Sequence, residues 1–280
     1  RKRLLMVKLQ NVTRAHLGLL LANLVWAVNY PFYKVLMPHY ITPVALATFA
    51  VTVAGLLGLV SLFWGGIEKI DRNDIYKFIG AALLMGIAKK LLLMIGMQHT
   101  SPIEASIIAT LGPILVLVFS FFFGIDRFTP MKVFGMVLGM GGALLVILSG
   151  GGAVTSGEKL MGNLFVVGAI AASSFSMVWL KGLIMKYRPI TVLRVYYPMA
   201  AVMLLPFGFD SMIHTDFAAM PAEALWMFFY VILIPTFGPN YLLIFSLHYV
   251  KPTISSVFFC SRVYFSRGCR RREMPTSTRR

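Results

Sequence analysis

Runs of about 20 mostly apolar residues recur along this chain, and each is about as long as an α-helix that crosses a bilayer. The first run is "HLGLLLANLVWAVNYPFYKVL", and the connections between the runs are short and often carry Gly or Pro. Of the 280 residues, 58% are hydrophobic and 13% are charged, and the mean hydropathy is +0.80. Soluble domains lie far from this composition. The sequence therefore predicts an all-α polytopic membrane protein.

The apolar runs predict eight complete membrane helices and part of a ninth. A basic segment, residues 1–14, precedes the first helix and is expected in the cytoplasm. The ninth run begins near Pro252 and turns polar after Phe259. The complete segments are expected at about 15–36, 44–64, 78–97, 103–123, 131–150, 162–182, 190–208 and 225–247.

The distribution of Lys and Arg predicts the orientation. A cytoplasmic N-terminus places fourteen of them near inner loops and only two, Lys34 and Lys159, near outer loops. Cytoplasmic loops carry such an excess, and the reverse orientation would invert it. We therefore expect a multi-pass protein of the plasma membrane with its N-terminus in the cytoplasm.

The net charge of +16 does not require a nucleic-acid partner. Residues 1–259 carry 19 basic and 9 acidic side chains, a net +10 that the membrane orientation explains. Residues 260–280 add seven Arg and one Glu, a net +6. The expected partners are the lipid bilayer and a small-molecule substrate, without nucleic acid.

An internal repeat relates the two halves of the chain. The stretch "LLLMIGMQHTSPIEASII" resembles "YLLIFSLHYVKPTISSVF" at an offset of 150 residues, which places Pro102 on Pro252 and Ser106 on Ser256. Such a repeat holds about five helices, so the second copy enters the membrane from the opposite side. Inverted repeats are typical of transporters, in which the substrate is handled near the midplane between the halves.

The stretches "TSPIEASIIATLGPILVLVFSFFFG" and "FTPMKVFGMVLGMGGALLVIL" resemble the EamA domain of the drug/metabolite transporter superfamily. The resemblance covers nearly the whole chain to about Phe259. It implies ten helices in two inverted five-helix repeats, with a first repeat at 15–150 and an incomplete second repeat at 160–259. It also implies a carrier of small metabolites, often outward, in a bacterial inner membrane, with a homodimer supported by the fourth and fifth helices.

Lys89 and Lys90 are the most informative polar residues. They lie roughly 10 Å from the outer end of the third helix, where a charge usually faces a cavity or a transport pathway. Snorkelling to the interface is the alternative. The repeat offset places them on Pro239 and Asn240, so both halves carry a polar or helix-breaking element at one depth, with Tyr241 beside it. A cationic cavity would suit an anionic group on the substrate.

The first helix carries a second polar group, Trp26, Asn29 and Tyr30, directly before Pro31. Because proline removes a backbone hydrogen bond, we expect this group to interrupt the helix and to line a cavity, with a packing kink as the alternative. Aromatic residues of the second half, Trp179 and Tyr196 or, as the alternative, Tyr197, are weaker candidates because aromatic side chains also form interfacial belts.

Glycine and proline mark further candidate positions. Gly112-Pro113 is expected to break the fourth helix midway and Gly238-Pro239 the eighth, for gating or for packing alone. In the fifth helix, Gly135, Gly139 and Gly142 have the small-residue spacing that favours close helix packing rather than a binding site.

The sequence contains no Walker loop, no GxSxG, no HExxH and no paired CxxC. We therefore expect a non-enzyme without cofactor or metal, whose transport draws on a proton or ion gradient or on the gradient of the substrate. The leading hypothesis is a secondary transporter of a small polar metabolite, such as an amino acid, that works by alternating access. The alternatives are a nucleotide-sugar or organophosphate carrier on the same architecture, and an inactive, truncated membrane protein.

The last segment, residues 260–280, differs from everything before it. It contains both cysteines, Cys260 and Cys269, and seven arginines where the repeat predicts continued apolar helix. The hypothesis is a frameshift near Phe259, with a lipid-binding basic patch as the alternative. Two lone cysteines form neither a metal site nor a disulfide framework.

Overall fold

The structure is a computed structural model. It describes residues 2–66, 68–125, 129–131, 133–135, 137–138, 141 and 157–250. Seven helical spans in this part of the chain are long and apolar enough to cross a membrane: Val12–Leu36, Pro43–Phe63, Arg72–His99, Pro102–Phe122, Gly157–Trp179, Pro189–Ile213 and Ala222–Tyr249.

These spans match the predicted segments one to four and six to eight, so the prediction of an all-α polytopic membrane protein is confirmed. Most of the predicted fifth helix, including Gly139 and Gly142, lies outside the described residues, as do the ninth helix and the basic tail. Gly135 is described, and a Cβ built on it would meet no neighbouring atom within 4 Å.

The α-helices of the described residues are numbered in chain order. They are α1 (Lys2–His39), α2 (Pro43–Val60), α3 (Ile75–Ala81), α4 (Lys89–His99), α5 (Pro102–Ile108), α6 (Gly112–Phe122), α7 (Gly157–Trp179), α8 (Lys181–Lys186), α9 (Pro189–Ile213) and α10 (Ala222–Tyr249).

Hydroxyl caps followed by proline begin two of these helices. The side chain of Thr42 accepts a hydrogen bond from the backbone N–H of Ala45 at 3.2 Å, and Pro43 is the first residue of α2. Ser101 does the same for the N–H of Glu104, also at 3.2 Å, ahead of Pro102 in α5. Proline tolerates the first helical position because the N–H that it lacks has no helical partner there.

The structure contradicts two of the predicted helix breaks. Helix α1 continues through Pro31, so Trp26, Asn29 and Tyr30 do not interrupt it. Helix α10 likewise continues through Gly238 and Pro239. A proline removes one backbone hydrogen bond of a helix, and the remaining bonds maintain the helix on either side.

The fourth span is broken, as predicted for Gly112-Pro113, although the irregular turn begins earlier. A 3₁₀ turn, Ala109–Leu111, separates α5 from α6, which starts at Gly112. The Thr110 hydroxyl donates to the carbonyl of Ile107 at 2.7 Å. It therefore does not compensate for Pro113, whose missing N–H would have bonded to Ala109 four residues earlier.

A π-helical segment, Ala82–Ala88, lies between α3 and α4, and no sequence signal predicted it. π-Segments inside α-helices often occur at functional sites. This one ends directly before Lys89. Gly86 lies within it, and a Cβ on Gly86 would come within 2.5 Å of the Cβ of Ala200 in α9, so this close approach of the two helices requires glycine.

Helix packing shows the predicted repeat. Helix α1 packs mainly against α10, α4 against α7, and α2 against α9. A Cβ on Gly18 would lie 3.4 Å from Leu242, and one on Gly168 would lie 3.6 Å from Leu92. Adding 150 to 18 gives 168, and subtracting 150 from 242 gives 92, so the second contact repeats the first with the partners exchanged.

A second pair of contacts obeys the same rule. Gly58 lies against Pro198, and Gly208 lies against Thr48. Adding 150 to 58 gives 208, and subtracting 150 from 198 gives 48. The helices that pack against each other run in opposite directions. Ala15, near the start of the first span, accepts a hydrogen bond from Ser246 at the end of α10, while Asn163, near the start of α7, accepts one from Thr100 beyond the end of α4.

Ion pairs tie two loops together at the end of the molecule where α2 ends and α9 begins. We call Glu68, Asp71, Asp74, Lys186 and Arg188 the loop cluster. Lys186 pairs with Asp71 and, at 2.6 Å, with Asp74, while Arg188 pairs with Glu68 at 3.3 Å. The hydrogen bonds to Asp71 and then to Asp74 raise the pKa of Lys186 above its ordinary value. These contacts join the loop between the second and third spans to the end of α8 and the residues that follow it.

Candidate functional site

A small cavity lies between α1, α10 and the third span, and we call it the central cavity. Its volume is about 40 Å³, which is room for about three water molecules. The residues that line it are Trp26, Asn29, Tyr30, Tyr33, Met85, Lys89, Lys90, Leu93, Tyr197 and Asn240. A second cavity of about 40 Å³ shares Tyr30, Lys89 and Leu93 with it and extends to Ser173 and Ser174 of α7.

Lys90 is a buried cation whose recorded partner is a neutral hydroxyl. The residue is 9% exposed, and its ammonium lies 3.5 Å from the Thr236 hydroxyl of α10, at the long limit of a hydrogen bond. None of the ion pairs in the described part of the chain involves Lys90. An ammonium group in this position is stabilised by an anion, since burial without one is costly.

Lys89 points to the other side of the cavity. Its ammonium lies 4.9 Å from the centre of the Trp26 ring, within the range of a cation–π interaction. The indole N–H of Trp26 donates to the carbonyl of Pro235 at 3.0 Å. Adjacent helical residues point about 100° apart. The two lysines nevertheless line one cavity, because Lys89 faces α1, Lys90 faces α10, and these two helices lie side by side.

The two prolines of α10 determine which carbonyls can accept these bonds. Pro239 has no N–H, so the carbonyl of Pro235, four residues earlier, has no helical donor and accepts from Trp26 instead. Pro235 leaves the carbonyl of Val231 in the same situation, and the Thr236 hydroxyl donates to it at 3.3 Å. The two prolines inside α10 thus determine which carbonyls accept from Trp26 and Thr236, and they do so without ending the helix.

Tyr197 and Asn240 complete the polar wall. The Tyr197 hydroxyl and the Asn240 amide both donate to the carbonyl of Thr236, each at 2.6 Å. Both side chains are almost fully buried. Thr236 therefore receives donors on its carbonyl and lies within reach of Lys90 through its hydroxyl, which makes it the centre of the polar network.

Six of the predicted cavity residues lie in this lining: Trp26, Asn29, Tyr30, Lys89, Lys90 and Asn240. Lys90 and Asn240 are also the pair that the 150-residue offset relates, and the fold brings these two equivalent positions to one cavity. Sequence reasoning could place them at the same depth, and helix packing brings them together.

Three predicted residues lie elsewhere, each for a packing reason. Tyr241 is 36% exposed and stacks on Phe245, on a face of α10 away from the cavity. Trp179 covers Gly80 of α3. Tyr196 is fully buried, with its ring 4.3 Å from that of Tyr197, and it is Tyr197 that reaches the cavity.

Sequence reasoning missed Thr236, Tyr33 and Met85 and gave Tyr197 only as an alternative to Tyr196. Thr236 could have been found, because it lies one helical turn before Asn240 and directly after Pro235. Tyr33 is seven residues from Trp26, which is one face of a helix. Nothing local distinguishes Tyr197 from Tyr196.

Residues 13–148 match the EamA-like transporter family. They form an EamA domain. The resemblance inferred from the sequence is thereby confirmed for these residues, and all the α1 and third-span residues of the central cavity belong to this EamA domain.

Relatives of the chain carry transporter names. An uncharacterized transporter of Archaeoglobus fulgidus is 25% identical over 173 residues, covering 62% of this chain and 60% of the relative. The uncharacterized transporter YvbV of Bacillus subtilis is 26% identical over 204 residues, covering 72% and 65%. The chain thus spans less than two thirds of the length of either relative.

A solved structure shares the fold. A crystal structure superposes on this chain with a TM-score of 0.67 at 14% sequence identity. The superposition covers 96% of this chain and 90% of the other. At this identity the likeness concerns the fold alone. Together, these findings describe a multi-span membrane protein that contains an EamA domain and is similar to proteins named transporters.

Proposed function

We propose that this chain is a secondary transporter of the plasma membrane that moves a small polar metabolite with an anionic group, such as an amino acid, by alternating access. The central cavity is its substrate site, and the excess of Lys and Arg near the inner loops supports a cytoplasmic N-terminus. Transport draws on an ion gradient or on the gradient of the substrate itself.

The buried Lys90 carries the proposal. The nearest recorded partner of its ammonium is a hydroxyl at 3.5 Å, and no ion pair of the described residues joins it to a carboxylate. A carboxylate or phosphate of the substrate would supply the missing counter-charge, and the gain would be large because the site is shielded from water. Lys89, against Trp26, provides a second positive charge at the same cavity.

The small volume of the cavity bears on the kind of substrate. Room for about three water molecules is far less than a nucleotide sugar requires, so the helices must separate for a substrate of that size to enter. A small zwitterion requires less separation than a nucleotide sugar does. Two adjacent lysines would nevertheless suit a phosphate group, so an organophosphate carrier is the second candidate.

Transport by purified protein in proteoliposomes tests the proposal. Counterflow of a panel of labelled amino acids, compared with labelled sugar phosphates and nucleotide sugars, separates the two candidates. We expect counterflow with at least one amino acid. Movement of organophosphates alone would favour the second candidate, and no movement of any compound by folded protein would contradict both.

Single variants assign the site. We expect Lys90→Met to lower the ratio of the maximal transport rate to KM by at least about tenfold, because the anionic group of the substrate loses a buried cationic partner. The melting temperature should be unchanged or higher, since removal of an unpaired buried cation does not weaken the fold. Lys89→Met should lower transport as well.

Lys34→Met is the matched control for these variants. Lys34 also belongs to a spanning helix, but its ammonium donates to the carbonyls of Met97 and Gln98 outside the cavity. The control should retain transport. Normal transport by the Lys89→Met/Lys90→Met double variant would contradict the assignment of the cavity.

A further inference from the structure

Asn29 has a buried oxygen without a hydrogen bond. Five buried side-chain oxygens in the described residues have no such partner: those of Asn29, Thr52, Glu104, Ser120 and Tyr196. Only Asn29 lines the central cavity. The residue is 3% exposed, so bulk water does not compensate for the missing bond.

The position of Asn29 makes it part of the cavity wall. It follows Trp26 by three residues and precedes Tyr33 by four, and all three line the cavity. This spacing is one face of a helix. The cavity therefore presents an unsatisfied acceptor on α1, whereas Lys90 presents a cationic donor on the third span.

A neutral acceptor fits this surrounding better than a carboxylate would. An aspartate at position 29 would share the cavity with Lys89 and Lys90 and would neutralise one of them. An amide oxygen accepts a hydrogen bond and leaves both lysines available to an anion. The lining can thus bind a negative group and a hydrogen-bond donor of the same molecule.

We propose that Asn29 is a specificity-determining residue that accepts a hydrogen bond from an N–H or O–H group of the substrate. The site then selects organic anions that carry a donor next to the anionic group, namely amino acids and hydroxy acids, over plain carboxylic acids. This inference rests on the proposed function, because it takes the central cavity as the substrate site.

Three acids of equal length test it: L-alanine, L-lactate and propionate differ only in the group on the carbon next to the carboxylate. Binding is measured as the concentration of each acid that produces the same fixed rise in the melting temperature of the purified protein. We expect alanine or lactate to act at concentrations at least about tenfold below those of propionate. The stronger of the two shows whether the donor is an ammonium or a hydroxyl.

Asn29→Leu removes the acceptor and retains the size of the side chain. In this variant the three acids should act at the same concentration within about twofold, because the selecting bond is gone. Ser120→Ala is the control, since the Ser120 hydroxyl is equally buried and unpaired but lies outside the cavity. It should retain the wild-type preference.

The outcomes distinguish this inference from the proposed function. Equal action of the three acids on the wild-type protein, or a preference that persists in Asn29→Leu, would overturn the role of Asn29. If the leucine variant does not fold, Asn29→Ala removes the same acceptor with a smaller side chain, and its comparison of the three acids decides. Selective binding without counterflow in proteoliposomes would instead contradict transport and leave the role of Asn29 intact.

Discussion

At the scale of single residues, the prolines of α10 determine two of the hydrogen bonds around Trp26 and Thr236. Each proline of α10 leaves one carbonyl without its helical donor, and a specific side chain replaces that donor: the Trp26 indole for Pro235 and the Thr236 hydroxyl for Val231. The replaced bonds lie within the membrane, where an unsatisfied carbonyl is costly. Pro239 and Trp26 therefore depend on each other.

This dependence predicts a double-mutant result. Trp26→Phe preserves an aromatic ring for Lys89 but removes the N–H donor, so it should destabilise the protein by about 1–3 kcal/mol. In a Pro239→Ala background, the new N–H of residue 239 can bond to the Pro235 carbonyl, and the cost of Trp26→Phe should largely disappear. Thermal unfolding in detergent of the two single variants and the double variant measures this coupling.

Trp179→Phe is the control for the tryptophan substitution. Trp179 is another tryptophan of a spanning helix, but it packs against Gly80 and takes no part in the α10 network. Its substitution should cost the same in both backgrounds. An equal cost of Trp26→Phe with and without Pro239 would show that the indole bond to the carbonyl contributes nothing.

At the scale of helices and loops, the loop cluster is unique to one end of the described molecule. The repeat offset relates Lys186 to position 36 and Asp74 to position 224, which are Leu36 and Ala224, both buried and apolar. At these two positions the ionic contacts of one end correspond to apolar residues at the other, although Lys159 and Glu104 form a separate ion pair at 2.7 Å there. Because salt screens ion pairs and leaves apolar contacts in place, the loop cluster should respond more strongly to ionic strength than its apolar counterparts.

Asp74→Asn should accordingly lower the melting temperature, because Asp74 accepts bonds from Lys186, Lys77 and the Tyr187 hydroxyl. The loss should be smaller at high salt. It should also shrink above about pH 10.5, the ordinary pKa of Lys186. A lysine whose pKa is raised by folding stabilises the folded state fully below that pH and loses its contribution as the pH rises through the higher folded value.

Asp210→Asn is the comparison for this prediction. Asp210 lies at the opposite end, its side chain is 85% exposed, and its only recorded ion pair is with His214. Its substitution should leave the melting temperature nearly unchanged at every salt concentration. If Asp74→Asn behaves like Asp210→Asn, the loop cluster does not hold the two connections together.

At the scale of the whole molecule, the two repeats share a fold and differ in chemistry. The glycine contacts that recur at the 150-residue offset show that the described helices of the two repeats pack in the same arrangement. The cavity lysines come from the first repeat, while the second contributes Tyr197 and Asn240 to the lining and Thr236 as the hydroxyl nearest to Lys90. A site between two unequal halves can bind an asymmetric substrate in one orientation.

Labelling of introduced cysteines tests the proposed orientation. In a background with Cys260→Ser and Cys269→Ser, His214→Cys and Lys69→Cys would each carry one exposed thiol, at opposite ends of the described molecule. A membrane-impermeant maleimide should label His214→Cys on intact cells and Lys69→Cys only after permeabilisation. The opposite pattern would place the N-terminus outside.

Much of the fold follows from the sequence because lipid imposes simple rules. Seven predicted spans are helices, since apolar length alone decides that a segment can cross a bilayer. The breaks were harder to predict. Proline at 113 accompanies a 3₁₀ turn, whereas prolines at 31 and 239 lie in continuous helices. For Pro239, the donor that replaces its missing N–H is the indole of the distant Trp26, which local sequence does not reveal.

The sequence by itself determined the spans, the 150-residue repeat and the depth at which Lys89, Lys90 and Asn240 lie. Each depends on hydrophobicity or register along one chain. Only the tertiary structure decided which faces meet: Trp26 reaches Pro235, 209 residues away, and Tyr197 faces the cavity where Tyr196 does not. The reason is physical, because the rotation and separation of packed helices arise from the side chains of both partners, and no single segment contains them.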